Sequence, residues 1–242
     1  MHRILQTLTH IAAGFEVNFG KVPFAAVGVK HGNACGAGVA DTAVEAVQKM
    51  LEGDEIAIFG GVVMVNGPID ADVATALMQY HMPEGQNRLL DGVVGSEVTP
   101  EAMEILSRAK LRVVTNPALA GLSKASLETT AIYRNVRGGM LVQPNYTFVV
   151  DYSADYMEQH GDLSEQAKKD MLLAWAVGST SNSNTICIVK DGRMLGNGVG
   201  QQDRVGAAKL AVTRATSRDH DITGAAAYSD SFFPFPDGPL VL

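Results

Sequence analysis

Apolar stretches and amphipathic stretches alternate along most of the chain. Apolar runs that end at glycine or polar residues predict strands at positions 22–29, 56–65, 89–94, 111–114 and 185–189. Apolar positions at helical spacing predict helices over positions 1–15, 41–51, 70–80, 164–177 and 205–215, and one that starts at 99–101. This alternation is typical of an α/β protein in which helices cover a mostly parallel sheet.

A less regular segment divides the pattern. Positions 117–146 keep neither a helical nor a strand period, and the alternation of strands and helices resumes after them. We therefore expect two lobes, one over residues 1–150 and one over residues 151–242.

Composition excludes several classes of function. The 242 residues are 46% hydrophobic, which is enough to bury a large core. A net charge of −7 and the lack of a Lys/Arg run argue against nucleic-acid binding. No apolar run reaches the length of about 18 residues that a membrane span needs, and the first residues lack the features of a signal peptide. Cys35 and Cys187 are far apart, which predicts reduced thiols in the cytoplasm and no metal site.

The first candidate for chemistry is the segment 30–36, Lys-His-Gly-Asn-Ala-Cys-Gly, a predicted loop directly after a buried strand. Ligands of parallel α/β sheets bind at the carboxyl ends of strands, so the position favours a functional role. The ammonium group of Lys30 disfavours protonation of the neighbouring imidazole, so His31 can accept a proton. A Lys-His pair also occurs by chance at surface turns, and the segment alone does not decide between a catalytic pair and an ordinary surface turn.

The second candidate lies in the other predicted lobe. Ser183, Asn184 and Thr185 lead into a strand, and the sequence Gly-Gln-Gln-Asp-Arg at 200–204 leads into a helix. Such an entry into a helix suits an anion or a polar ligand, and an asparagine amide can donate to a developing oxyanion. Ordinary turn and capping chemistry also explains each segment when it is considered alone.

The third candidate is the segment 229–238, Ser-Asp-Ser-Phe-Phe-Pro-Phe-Pro-Asp-Gly. Three phenylalanines and two prolines form a stiff apolar surface that could stack on a flat heterocycle. A hydrophobic loop that packs on the core has the same composition, so both interpretations stay open.

Together, these segments resemble the aminoimidazole carboxamide ribonucleotide transformylase family. The family pattern Lys-His-x-Asn-Pro-x-Gly is similar to positions 30–36, with Ala34 in place of proline. The family's Asp-x-x-Ser-x-Phe-Gly-Gly resembles 54–61, and its Arg-Gly-Gly-Leu-Leu-Val-Gln resembles 137–143. Further ordered matches lie at 183–184, 200–205 and 229–235.

The resemblance implies transfer of a formyl group from 10-formyltetrahydrofolate to the 5-amino group of the ribonucleotide, a step of purine biosynthesis. In that reaction His31 would be the base and Lys30 would tune it, while Asn184 would orient the formyl group and stabilise the tetrahedral intermediate. The other residues that the family pattern implies for substrate and folate binding are Asn33, Gly36, Asp54, Arg204, Phe232, Pro234 and Asp237. No metal takes part.

The resemblance also implies a cytidine-deaminase-like fold of two related lobes, and a homodimer with its active sites at the subunit interface. Three features of the family pattern are missing. The family's Arg-Tyr-Gly-Glu-Asn-Pro-His-Gln segment, which binds the substrate phosphate, has no counterpart before Lys30. The family's final glycine-rich stretch and Arg-His-Phe tail are missing because the sequence stops at Leu242, and the cyclohydrolase domain is missing too. We therefore expect a short or truncated form of the family in which the second lobe can be incomplete. Arg134 and Arg137 are candidates for replacement phosphate ligands.

Other functions remain as alternatives. A non-catalytic or altered-substrate paralogue would keep the nucleotide or folate pocket without the turnover. A zinc deaminase requires His-x-Glu and Pro-Cys-x-x-Cys, and neither pattern occurs here. A thiol enzyme would pair Cys35 with His31, but no third orienting group is evident.

Overall fold

The computed structural model describes residues 1–107 and 110–242. Within them the helices are α1 (His2–Phe19), α2 (Ala43–Gly53), α3 (Ala71–Gln79), α4 (Pro100–Leu106), α5 (Glu165–Ser179) and α6 (Arg204–Thr216). The strands are β1 (Phe24–Lys30), β2 (Asn33–Ala40), β3 (Gly61–Val65), β4 (Leu90–Gly95), β5 (Arg112–Thr115), β6 (Ile132–Val136), β7 (Gly139–Gln143), β8 (Ile186–Lys190), β9 (Arg193–Gly198) and β10 (Ala226–Ser229). Short 3₁₀ helices lie at Pro117–Gly121, Lys124–Ser126 and Pro239–Val241.

The predicted helices are confirmed, and several begin at polar residues that cap them. The side chains of Asp70, Thr99 and Ser164 accept hydrogen bonds from the backbone N–H three residues later, at 2.9, 3.2 and 3.1 Å. These bonds satisfy N–H groups that have no partner inside the helix. The helix starts are therefore encoded locally.

The predicted loop at 30–36 is wrong, because only His31 and Gly32 form a turn before β2 begins. β2 consists largely of glycine and alanine, which have low strand propensity. The reason is tertiary packing: a Cβ on Gly36 would lie 2.0 Å from the carbonyl oxygen of Met50, and one on Gly38 would lie 2.4 Å from that of Ala46. Small residues let α2 lie directly on the strand.

The predicted strand at 56–65 is confirmed only from Gly61 onward. The residues before it turn back towards α2, because the carboxylate of Asp54 accepts a hydrogen bond from the N–H of Ala57 at 3.0 Å. The result is a loop over 54–60 that lies beside the end of β1.

The main sheet is mixed and has the strand order β10-β8-β9-β2-β1-β3-β4-β5. The predicted parallel pairing is confirmed for β3, β4 and β5, while the other pairings in this sheet are antiparallel. Two tight hairpins, β1–β2 and β8–β9, account for two of these antiparallel pairings, because a short turn can join only antiparallel strands. β6 and β7 form a separate, exposed hairpin.

Helices cover both faces of this sheet. On one face, α1 and α5 pack over alternate residues of β1 and β2, and Trp175 of α5 lies against Gly14 of α1. On the other face, α2, α3 and α4 cover β1, β3 and β4, and α6 covers β8 and β9. The β1–β2 turn is therefore held at one end of a rigid, doubly covered sheet.

The sheet continues across the predicted boundary near residue 150, because β9 pairs with β2 through Arg193 and Gly38. The division into lobes 1–150 and 151–242 stays a prediction, and so does the cytidine-deaminase-like fold. In the part of the chain that the structure describes, no helix is both long and apolar enough to cross a bilayer.

Candidate active site

The β1–β2 turn presents the predicted base at its tip. Lys30 and Asn33 pair across the hairpin, and the two residues between them have positive φ angles, 53° at His31 and 81° at Gly32. Positive φ at both central positions is what a two-residue type I′ hairpin requires. His31 is exposed as a result, on a backbone that the two strands hold in place.

Lys30 is tied to the neighbouring loop. Its Nζ donates a hydrogen bond to the carbonyl oxygen of Phe59 at 2.5 Å and lies 6.0 Å from the centre of the Phe59 ring. The loop is itself fixed by the bonds of Asp54 to the Ala57 N–H and to Arg218 Nε, each at 3.0 Å. One of the three ammonium protons is used in this way, and the charge stays beside His31.

Asn184 lies in a loop that is bonded to the stretch before α6. Its backbone N–H and its Nδ2 both donate to the carbonyl oxygen of Gln201, at 3.0 and 2.9 Å. The Gln201 N–H donates back to the Asn184 carbonyl at 3.3 Å, and the Ser183–Asn184 peptide bond is cis. The second N–H of Nδ2 has no partner among the described residues.

Asn182 joins the two halves of the candidate site. Its backbone N–H donates to Asn33 Oδ1 at 3.4 Å, and its Oδ1 accepts a hydrogen bond from Arg3 Nη1 at 2.6 Å. Its carbonyl oxygen accepts from the N–H of Gly200 at 2.9 Å. The predicted residues Asn33 and Asn184 are thus brought to the same end of the sheet, although 150 positions separate them. Neither Arg3 nor Asn182 is part of the sequence-based prediction.

The Phe-Pro segment begins beside this loop, because the N–H of Asp230 donates to the carbonyl oxygen of Thr185 at 3.2 Å. Phe232 is 76% exposed, and the guanidinium of Arg204 lies 5.9 Å from the centre of its ring. Phe233 packs instead on the apolar cluster under α6. The packing interpretation therefore applies to Phe233, while stacking of Phe232 on a ligand stays a prediction. Pro234 and Asp237 are exposed, and Asp237 Oδ1 accepts from the N–H of Gly238 at 2.9 Å.

Two predicted ligand-binding residues have structural partners instead. Gly36 is buried beneath α2, where its missing side chain makes room for the Met50 carbonyl. Asp54 ends α2, and its side chain is 14% exposed and paired with Arg218. Arg218 lines a cavity of about 260 Å³ together with His81 and His220. The observed contacts account for both predicted residues without a ligand.

The alternative thiol chemistry is contradicted by burial. Burial raises the pKa of Cys35 to about 12, and the nearby Asp54 carboxylate adds to the shift while Lys30 opposes it. The Sγ donates to the carbonyl oxygen of Gly28 at 3.4 Å, so the thiol stays protonated and inert at neutral pH. Cys187 is also buried and free. Among the described residues no three His, Cys, Asp or Glu side chains are arranged to bind a metal ion.

Comparison with known proteins gives matches over most of the chain. A family model described as the AICARFT/IMPCHase bienzyme matches residues 7–214. The bifunctional purine biosynthesis protein PurH of Bacillus cereus strain B4264 is 37% identical over 214 residues, and that of Bacillus thuringiensis strain Al Hakam is 36% identical. Each alignment covers 88% of this chain but only 39% of the relative.

A solved structure of Acinetobacter baumannii RibD, form 1, covers 50% of this chain and 36% of its own, with 18% identity and a TM-score of 0.33. That likeness is too weak to assign the fold. The sequence match is different, because it spans α1 through most of α6 and includes the Lys30–His31 turn and the Asn184 loop. The chain therefore belongs to the AICARFT/IMPCHase bienzyme family.

Proposed function

We propose that this chain transfers a formyl group from 10-formyltetrahydrofolate to the 5-amino group of aminoimidazole carboxamide ribonucleotide (AICAR), in purine biosynthesis. The observation that carries the proposal is the bridge through Asn182, which joins the hairpin of the candidate base to the loop of the candidate oxyanion donor. The relatives are named as purine biosynthesis proteins, which supports the same chemistry.

His31 is suited to proton transfer. The substrate amine is attached to an electron-poor ring and is a weak nucleophile, so its proton must leave as its nitrogen attacks the formyl carbon. The exposed imidazole at the tip of the turn can reach a bound substrate. The proton that His31 accepts passes to N10 of the folate when the carbon–N10 bond breaks, and the ammonium of Lys30, held by the Phe59 carbonyl, keeps donors for the reacting groups.

Asn184 is suited to the tetrahedral intermediate. Negative charge develops on the formyl oxygen during attack, and preorganised donors stabilise that charge most effectively. The backbone N–H and Nδ2 of Asn184 each donate to the Gln201 carbonyl, which holds the side-chain amide in one orientation and leaves its second N–H for the oxyanion. No metal is needed for this chemistry.

The folate is proposed to bind along the face formed by Arg204, Phe232 and Pro234. An exposed phenylalanine beside a guanidinium offers a flat surface for stacking of a pterin ring, and the guanidinium can pair with a carboxylate. Arg204 Nε is buried and has no hydrogen-bond partner among the described residues, so a bound ligand could satisfy it.

A second copy of the chain is proposed to complete the site. His31, Asn182 and Ser183 are exposed, whereas acyl transfer requires that water be excluded. The β6–β7 hairpin carries exposed apolar side chains, including Tyr133 and Leu141, and its two arginines complement a protein of net charge −7. We propose a homodimer on these grounds. Cytoplasmic localisation stays a prediction.

The test is a formyl-transfer assay with 10-formyltetrahydrofolate and the ribonucleotide. His31→Ala should lower kcat by about a hundredfold or more, which is the usual scale for a general base, while folate affinity changes little. The matched control is His160→Ala, because the His160 side chain is exposed and lies outside the site. Turnover at the parent rate in His31→Ala would refute the base assignment. Binding of both substrates without turnover in the parent protein would identify a non-catalytic paralogue instead.

A further inference from the structure

Arg3 lies against the candidate site although it belongs to the first turn of α1. Its Nη1 donates to Asn182 Oδ1 at 2.6 Å, and its Cδ lies 3.6 Å from the position that a Cβ on Gly32 would occupy. The side chain is therefore bonded to the loop that carries Asn184 and lies beside the hairpin that carries His31. We propose that Arg3 binds the phosphate group of the substrate. This inference rests on the proposed function, which supplies a phosphorylated substrate.

The guanidinium of Arg3 has donors to spare. A guanidinium carries five N–H donors in a planar fork, and the bond to Asn182 uses one of them. Within the described part of the chain, no carboxylate forms an ion pair with Arg3 or with Lys30. Arg3 is exposed, so its free edge faces solvent at the open end of the sheet. An unpaired cation with free donors is what a phosphate needs to replace its water.

Asn182 makes this arginine a better phosphate ligand than a mobile surface arginine. Its Oδ1 holds one side of the guanidinium, and its own backbone is held by Asn33 and Gly200. A side chain already restrained loses less conformational entropy when it binds a ligand. The free edge of the fork can then approach two phosphate oxygens together.

The other arginines considered for this role are placed less well. Arg134 and Arg137 are on the exposed β6–β7 hairpin, and neither side chain makes a hydrogen bond or an ion pair within the described residues. Arg204 faces the Phe232 ring, where the folate is proposed to bind. Among the described arginines, Arg3 is the one whose side chain lies beside Gly32 in the turn of the candidate base.

The experiment compares binding of the ribonucleotide and of the corresponding ribonucleoside by calorimetry, at one fixed salt concentration. The variants are Arg3→Gln, which removes the charge, and Arg3→Lys, which keeps the charge but not the fork. Arg112→Gln is the matched control, since it makes the same change at an exposed position of β5, on the far edge of the sheet. Arg137→Gln tests the competing hairpin.

The parent protein should bind the nucleotide more tightly than the nucleoside. Arg3→Gln should reduce this preference by about tenfold to a hundredfold, the range of one charged hydrogen bond, with nucleoside affinity and melting temperature unchanged. Arg3→Lys should restore part of it, and Arg112→Gln should leave it intact. The inference is overturned if the parent shows no preference, if Arg3→Gln weakens both ligands equally, or if Arg137→Gln alone removes the preference. Absence of formyl transfer in the parent protein would instead refute the proposed function, because the binding comparison does not depend on turnover.

Discussion

Two adjacent phenylalanines offer a direct test of the proposed folate surface. Phe232 is 76% exposed, so truncation to alanine removes little buried area. A Phe side chain buries about 200 Å² when fully covered, so roughly a quarter of that at about 25 cal/mol/Å² amounts to about 1 kcal/mol. Such a loss lowers the melting temperature of a domain of this size by about 2–4 °C. If the ring stacks on the pterin, Phe232→Ala should weaken folate binding by about 1–3 kcal/mol.

Phe233→Ala is the matched control. This ring packs on the cluster under α6, and a Cβ on Gly238 would lie 2.3 Å from it. Its truncation should cost about 3 kcal/mol of unfolding free energy, or about 6–12 °C in melting temperature. Calorimetric folate titration and thermal unfolding of both variants provide the comparison. Unchanged folate affinity in Phe232→Ala, together with a drop in melting temperature like that of Phe233→Ala, would show that Phe232 is a core residue.

Three further predictions concern the strands and loops around the turn. Gly36→Ala should lower the unfolding free energy by at least about 3 kcal/mol, because the added Cβ meets the backbone of α2. Gly139→Ala, on the open hairpin, should change the unfolding free energy by less than about 0.5 kcal/mol. Equal melting temperatures of the two variants would contradict the close packing of β2 on α2. Asn184→Asp should lower kcat by about a hundredfold or more, because a carboxylate cannot donate to the oxyanion, and it should also lower the melting temperature, because the bond from Nδ2 to the Gln201 carbonyl is lost; unchanged turnover would remove Asn184 from the mechanism. Burial raises the pKa of Cys35 from 9.0 in the unfolded chain to about 12 in the folded one, so the thiol ionises first in the unfolded chain. The stability that the protonated thiol contributes is therefore fully present below pH 9 and is lost as the pH rises towards 12. The unfolding free energy of Cys35→Ala should accordingly fall less steeply above pH 9 than that of the parent protein. Parallel curves of unfolding free energy against pH would refute the raised pKa of Cys35.

Local sequence signals were sufficient to predict the helices. Asp70, Thr99 and Ser164 each bond to a nearby backbone N–H, so the start of each helix depends on residues within one turn. The turn between β8 and β9 also has a local cause, because Asp191 and Gly192 adopt positive φ angles that suit these residue types, but β9 was not among the predicted strands.

The missed features depend on contacts between distant residues. β2 has a composition typical of a loop, and only the approach of α2 to Gly36 and Gly38 explains why it forms a strand. Arg3 and Asn182 are 179 positions apart, and no local pattern relates them. The family motifs identified the Lys30–His31 turn and the Asn184 loop, but they could not indicate an arginine outside those motifs. The assignment of Gly36 to ligand binding came from its place in a motif, whereas its contacts are with a helix.

The contact between β2 and α2 also limits how this chain can diverge in sequence. Positions 36 and 38 have no space for any side chain, so substitutions there are not tolerated. The tip of the turn faces solvent and has space, and its limit is the positive φ of 53° at His31, which disfavours β-branched residues. Selection for a new substrate would therefore act on the turn and the facing loops and would leave the strand that supports them unchanged. A combinatorial library at 36 and 38 should return glycine at both positions among folded clones, whereas a library at 31 and 33 should return folded clones of more varied sequence, with few β-branched residues at 31.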